Sequence, residues 1–145
     1  ADAAGDRRDP RALAAGLGLG LVIASPGTAA AQKKAPPGGA YKEVSTLVPL
    51  PNYLPGLGTL YVDPATLPAG PFLAYDHQGS LVSSIYMIPL KDLDAHKAFT
   101  DLKTAHEPVD HVEIVYNAGH PGVAEPHYHM IVWYVSAQRA ASLAK

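Results

Sequence analysis

The stretch Gly119-His120-Pro121-Gly122-Val123-Ala124-Glu125-Pro126-His127-Tyr128-His129-Met130-Ile131-Val132-Trp133-Tyr134-Val135 contains the most apolar strand of the chain. Its second half, from His127 onward, is apolar on both faces and predicts a strand of a sheet. Its first half holds glycines and prolines and predicts a loop. Three of the chain's seven histidines lie within this stretch. Such crowding at the start of an apolar strand requires an explanation beyond packing, because unpartnered ring nitrogens are costly to bury.

The three histidines predict a metal site. Residues two apart in a strand share a face at about 6.6 Å, a separation over which two imidazole rings can converge on one ion. His127 and His129 meet this condition, and their face continues through the apolar residues Ile131 and Trp133. His120 precedes His127 by seven residues, on a loop long enough to fold back over the strand. Neutral imidazole is the commonest metal ligand near pH 7, so we expect a divalent transition metal, zinc or copper.

Other polar residues are candidates for the same site. If the preceding strand pairs with the last one, His111 becomes a fourth ligand or a supporting contact. Glu125 and Glu113 are the nearest carboxylates, suited to orient a ring N–H, to ligate directly, or to act as base for a bound water. Three histidines with an open position would form a Lewis-acid or redox-capable site, whereas four ligands would form a closed structural one. A hydrogen-bonded histidine network without metal is the alternative.

The rest of the chain predicts an α+β fold. Glycine and proline turns separate short segments with strand character, and one segment has a helical period. The pattern predicts an antiparallel sheet of about five strands with one or two helices packed on it. A small cupin-like β-sandwich is the alternative. The predicted strands are residues 58–62, 72–76, 80–88, 109–116 and 127–135, and the predicted helices are residues 90–102 and 136–145.

The N-terminal part predicts an exported protein. Three arginines precede an apolar run of about thirteen residues, too short to span a bilayer, and small residues follow it. Residues 1–31 are therefore predicted to be a cleaved signal peptide, and the protein periplasmic or secreted. Residues 32–40, rich in lysine, proline and glycine, are predicted to be a flexible linker. Residues 41–145 are predicted to form a single globular domain.

Composition restricts the partners and the ligands. Hydrophobic residues make up 48% and charged residues 17% of the chain, which favours a globular fold over a disordered one. The formal net charge of −2 does not favour nucleic acid or an anionic membrane surface. There is no cysteine, so metal ligands must be nitrogen or oxygen, and stability must come from packing, metal binding or self-association. Soft ligands are scarce, which argues against a copper(I) carrier.

Residues 58–135 resemble a family of exported bacterial proteins of unknown function. The resemblance rests on Tyr61-Val62-Asp63, the turn at Gly79, Ile88-Pro89-Leu90, and above all the histidine-containing stretches 117–122 and 126–129. A described member of that family comes from a thermophile, is controlled by an extracytoplasmic-stress sigma factor and forms a ring. The resemblance implies an exported homo-oligomer with ligand roles at His120 and His127.

A second, weaker similarity is to the first metal motif of cupins. Gly122, Pro126, His127 and His129 match its order. That motif continues to a glutamate a few residues after the second histidine, and residues 130–136 contain none. The departure weakens any oxygenase activity inferred from the similarity.

The sequence is compatible with three functions. The first is an exported protein that binds zinc or copper through His120, His127 and His129, with His111 nearby, in a homo-oligomer. The second is a small secreted metalloenzyme, hydrolytic with zinc or oxidative with copper(II). The third is a structural envelope oligomer without metal.

Overall fold

The computed structural model describes residues 32–145, which form one open, seven-stranded antiparallel sheet. The strand order is β1-β3-β4-β5-β7-β6, and β2 pairs with β3 beside β1. The strands are β1 Lys42–Glu43, β2 Tyr53–Leu54, β3 Gly58–Val62, β4 Phe72–Tyr75, β5 Leu81–Pro89, β6 His111–Asn117 and β7 His127–Trp133. The α-helices are α1 Leu90–Asp94 and α2 Ala137–Ala141, and short 3-10 turns occupy Val44–Thr46, Pro64–Thr66 and Ser142–Ala144.

The register of β7 decides which side chains meet. It pairs with β5 on one side and with β6 on the other, so that Met87 and Val115 flank His129. Alternate residues of a strand share a face, which places His127 and His129 on the same side as Ile131 and Trp133. The two histidines therefore begin a row that continues into the hydrophobic core.

The core lies on this same face of the sheet. Phe72 of β4, Ile85 of β5 and Ile131 of β7 are buried there. The helix α2 adds Ala140 to the core, and the 3-10 turn after it adds Leu143. Gly56 donates a backbone hydrogen bond to the Leu143 carbonyl, which ties the end of the chain to the β2–β3 turn. The histidines thus lie in a layer between the sheet and the segments that cover it.

The prediction of an antiparallel sheet is confirmed, but the predicted five strands are too few. Every predicted strand is present, and β1 and β2 are additional. Each of these has only two residues, too short for a sequence period, and β2 lies in a proline-rich segment that predicts an edge segment or loop. The described residues form a single open sheet, unlike the two packed sheets of the cupin-like alternative.

The α+β prediction gives the chain more helix than the structure has. The predicted helix over residues 90–102 ends at Asp94, because His96 adopts the left-handed conformation with φ 59°. Lys97 donates to the Asp92 carbonyl and His96 to the Leu93 carbonyl, the hydrogen-bond pattern of a Schellman motif. The described residues therefore form a sheet-dominated protein with few short helices, and none of those helices is long and apolar enough to cross a membrane.

The segment before β1 contacts the sheet. Ala35 donates to the Gly79 carbonyl at 2.9 Å, and the Tyr75 hydroxyl donates to the Gln32 carbonyl at 2.6 Å. These contacts fall within the predicted linker of residues 32–40. The predicted signal peptide, residues 1–31, lies outside the described residues.

Candidate metal centre

Three histidine rings converge at the start of β7, and we call His120, His127 and His129 the histidine cluster. The Nε2 atom of His127 lies 3.1 Å from that of His120 and 2.9 Å from that of His129. One ligand atom from each residue lies within 4.8 Å of the others. The rings of His120 and His127 meet edge to face at 85°, so they surround a point instead of stacking. The arrangement is one that could hold a metal ion.

Backbone carbonyls hold two of the three rings. The Nδ1 of His127 lies 2.8 Å from the Glu125 carbonyl, and the Nδ1 of His120 lies 3.0 Å from the Pro121 carbonyl. A carbonyl only accepts hydrogen bonds, so each of these Nδ1 atoms carries the proton and donates it. The Nε2 atom of each neutral ring is then an unprotonated lone-pair donor directed at the centre of the cluster. Backbone contacts of this kind orient histidine ligands at metal sites.

The loop between β6 and β7, residues 118–126, brings His120 back over the strand. His120 and Val123 exchange two backbone hydrogen bonds of 2.9 Å around Pro121 and Gly122, as in a type II turn with glycine at positive φ. Gly119 has φ 130°, and a Cβ added there would lie 2.5 Å from the Ala124 carbonyl oxygen. The loop therefore requires glycine at both positions to place the His120 ring.

Burial keeps His129 uncharged. His127 has no exposed surface, while His120 and His129 are half-buried. Desolvation, together with the neighbouring rings of His127 and His120, lowers the pKa of His129 to about 4. His129 is thus neutral near pH 7, the form in which imidazole binds metals.

The structure does not bring His111 to the cluster. It pairs with Trp133, four residues along β7 from His129, which is about 13 Å at strand spacing. Its ring stacks on Trp133 at a centroid distance of 6.0 Å, and its Nδ1 lies 2.7 Å from an Asp110 carboxylate oxygen. The predicted antiparallel pairing of the two strands is correct, but the register places His111 at the opposite end of the pair. His111 therefore lies outside the histidine cluster.

Neither predicted carboxylate belongs to the cluster. The Glu125 side chain forms an ion pair of 2.9 Å with Lys91, and only its backbone carbonyl contacts His127. Glu113 accepts a 2.7 Å hydrogen bond from the Trp133 indole. Glu113 nevertheless lines a cavity of about 460 Å³ that also reaches His129. Within the described part of the chain, no aspartate or glutamate joins the three histidines.

A second cavity also adjoins the cluster. It has a volume of about 270 Å³ and touches His120, His129 and Asn117. The remaining wall is apolar and includes Leu60 and Phe72. Asn117 and this wall were not predicted from the sequence, because the wall is assembled from segments far apart in the chain. The one local signal is Asn117 itself, whose Oδ1 accepts the Gly119 N–H at 2.8 Å in the turn that begins the loop.

These features define a small sheet protein with a three-histidine cluster whose residues line two cavities. A solved structure, the hypothetical protein TTHB210 from Thermus thermophilus, matches this chain with a TM-score of 0.59 and 46% sequence identity. The match covers 66% of this chain and 87% of that one. The chain therefore belongs to the same family as TTHB210. No protein-family model matches the chain, and no curated protein does.

The comparison confirms the predicted resemblance in its coarser form, namely membership of a bacterial family of which one solved member is described as a hypothetical protein. Export, ring formation and the similarity to cupins stay predictions.

Proposed function

We propose that this protein binds a divalent transition metal, zinc or copper, through His120, His127 and His129. The observation that carries the proposal is the convergence of three imidazole Nε2 atoms, two of them on rings whose Nδ1–H is already donated to a backbone carbonyl. A tetrahedral zinc site with bonds of about 2.05 Å separates its nitrogen ligands by about 3.3 Å. The separations of 3.1 Å and 2.9 Å from the His127 Nε2 lie within about 0.4 Å of that value, and the ligand atoms of all three residues lie within 4.8 Å of one another.

Protons alone cannot satisfy the cluster. The Nε2 of His127 has one lone pair and lies within 3.1 Å of two other Nε2 atoms. His129 in its Nε2–H tautomer could donate to that lone pair, but His120 would then direct its own lone pair at the same nitrogen. Facing lone pairs in a buried site are repulsive, and the low pKa of His129 disfavours an additional proton. A cation removes the conflict because it accepts all three lone pairs.

Metal content tests the proposal. Untagged protein, loaded separately with Zn²⁺ and with Cu²⁺ and then dialysed, is analysed for bound metal by mass spectrometry. We expect about one ion per chain in the wild type and in His111→Ala, the control histidine outside the cluster. We expect almost none in His127→Ala. His129→Ala provides a second variant at a less buried position, and circular dichroism verifies folding of each. Wild-type protein that retains no metal, or cluster variants that retain as much as the control, would contradict the proposal.

A second candidate is a small metalloenzyme, hydrolytic with zinc or oxidative with copper(II). It is favoured by a ligand set of only three histidines beside a cavity that also contains Glu113. Three protein ligands plus an open position are the usual catalytic arrangement, and Glu113 would assist a bound water as base. Titration of the Co²⁺-loaded protein with azide tests this candidate. A change in the visible absorption indicates an open position, whereas an unchanged spectrum indicates a closed site and argues against catalysis.

Self-association belongs to the same proposal and is supported by the edge strand β6. This strand is last in the sheet order, and Val112, Ile114 and Tyr116 on one face are 52%, 67% and 52% exposed. A long apolar edge strand invites pairing with another chain. We expect Ile114→Lys to reduce the molar mass measured by light scattering, whereas Leu93→Lys on α1 should not. A monomeric wild type would exclude self-association. Export to the periplasm or medium remains our proposal for the location.

A further inference from the structure

The smaller cavity beside the histidine cluster has the properties of a ligand site. Its volume is about 270 Å³, and its wall is apolar except for His120, His129 and Asn117. An apolar cavity of about 150 Å³ in another protein binds benzene. The present cavity therefore has room for a substituted ring or a short aliphatic chain next to the metal position.

The charge of the centre selects the head group of such a ligand. Three neutral imidazoles would leave a bound divalent ion with its full double charge, and no carboxylate of the described residues joins them. The Glu125 side chain is paired with Lys91, and the Glu113 carboxylate accepts from Trp133. An anionic oxygen ligand would compensate part of this charge in a site of low dielectric.

Asn117 provides a second polar contact for the same head group. Its Oδ1 accepts the Gly119 N–H, so the group it has left for a ligand is its NH₂, a hydrogen-bond donor. A carboxylate has two oxygens and can therefore bind a metal with one and accept a hydrogen bond with the other. With a metal bound, the polar end of the cavity would offer a cation and a hydrogen-bond donor, both of which favour an anion.

The cavity is accessible from the surface. Leu54 and Leu57 in its wall are half-buried, and Pro55 between them is exposed. These residues belong to β2 and to the turn that leads from it into β3. A ligand could enter along this segment with its apolar part in contact with leucine side chains.

We propose that the cavity binds a small monocarboxylate with an apolar body, whose carboxylate lies on the metal and Asn117 and whose body occupies the apolar part. This inference rests on the proposed metal function. Acids about the size of a phenylalkanoate bind, whereas neutral analogues of the same shape and short polar acids bind weakly.

The test uses 3-phenylpropionate as the probe on zinc-loaded protein whose metal content has been measured. Isothermal titration calorimetry compares it with acetate, which lacks the apolar body, and with 3-phenylpropanamide, which lacks the charge. We expect 3-phenylpropionate to bind at least tenfold more tightly than either. Leu60→Trp, which fills the apolar part of the cavity, should weaken 3-phenylpropionate at least tenfold and leave acetate and metal content unchanged. Leu47→Trp, at an exposed position outside this cavity, is the control.

The outcomes separate the two proposals. If the protein holds zinc but binds the three probes equally, or if Leu60→Trp has no more effect than Leu47→Trp, the ligand inference is wrong and the metal function stands. If the wild type retains no metal, the metal function is wrong and the ligand inference is wrong with it. Leu57→Trp repeats the test at a half-buried wall position if Leu60→Trp loses metal or fails to fold.

Discussion

Removal of one histidine should abolish most of the stabilisation that metal provides. A ligand that binds only the folded state at 100 times its Kd adds about 2.7 kcal/mol of stability. For a domain of this size, 1 kcal/mol shifts Tm by roughly 3–5 °C. Saturating Zn²⁺ at 100 times Kd should therefore raise the Tm of the wild type by about 10 °C.

The expected value for His127→Ala follows from the geometry of the cluster. The Nε2 of His127 is the atom that lies near both other Nε2 atoms, at 3.1 Å and 2.9 Å, so its loss removes the central ligand. Loss of a residue that only hydrogen-bonds to a metal ligand weakens metal binding roughly 10–100-fold. Loss of the ligand His127 itself should therefore weaken metal binding at least about 100-fold. At the same Zn²⁺ concentration the variant then gains at most about 0.4 kcal/mol, or roughly 1–2 °C.

Differential scanning calorimetry with and without Zn²⁺ measures both shifts. Comparing each protein with its own metal-free form removes the packing cost of truncating a fully buried side chain. His111→Ala should retain the wild-type shift of about 10 °C, because its ring lies against Trp133 at the other end of the strand pair. Equal shifts in the wild type and His127→Ala would refute the reasoning.

Three other predictions follow from the same site. Metal-free protein should lose stability as the pH falls from about 6.5 toward 4. The unfolded chain takes up a proton in this range, whereas folded His129, with its pKa lowered to about 4, does not. The free energy of unfolding measured in urea should therefore vary less with pH in His129→Gln than in the wild type. Gly119→Ala should lower the free energy of unfolding, measured in urea, by roughly 1–3 kcal/mol more than Gly38→Ala does. Both glycines have positive φ, but of the two added Cβ atoms only the one at residue 119 would meet a backbone oxygen. Glu125→Gln should keep its bound metal and unfold in urea at nearly the wild-type midpoint, since only a solvent-exposed ion pair with Lys91 is lost. Loss of metal in this variant would identify the carboxylate as a ligand.

Short-range sequence patterns predict the bounds of several strands. β3 was predicted with its observed bounds, Gly58 to Val62, and β7 with its observed start, because glycine and proline turns and apolar runs are short-range signals. The common face of His127 and His129 follows from the two-residue period of any strand. The helix over residues 90–102 was too long, because one residue in the left-handed conformation, His96, ends it.

The tertiary structure decided everything that depends on register and on distant segments. Strand pairing alone made His111 a candidate ligand, but the register places it opposite Trp133, away from the cluster. The carbonyls that orient His127 and His120 depend on how the chain folds around them, and the cavity wall combines β2 and β3 with β4 and β5. A period along the chain specifies which face a side chain occupies. Which side chain of another segment lies opposite depends on packing free energy summed over the whole domain, and no short stretch of sequence contains that sum.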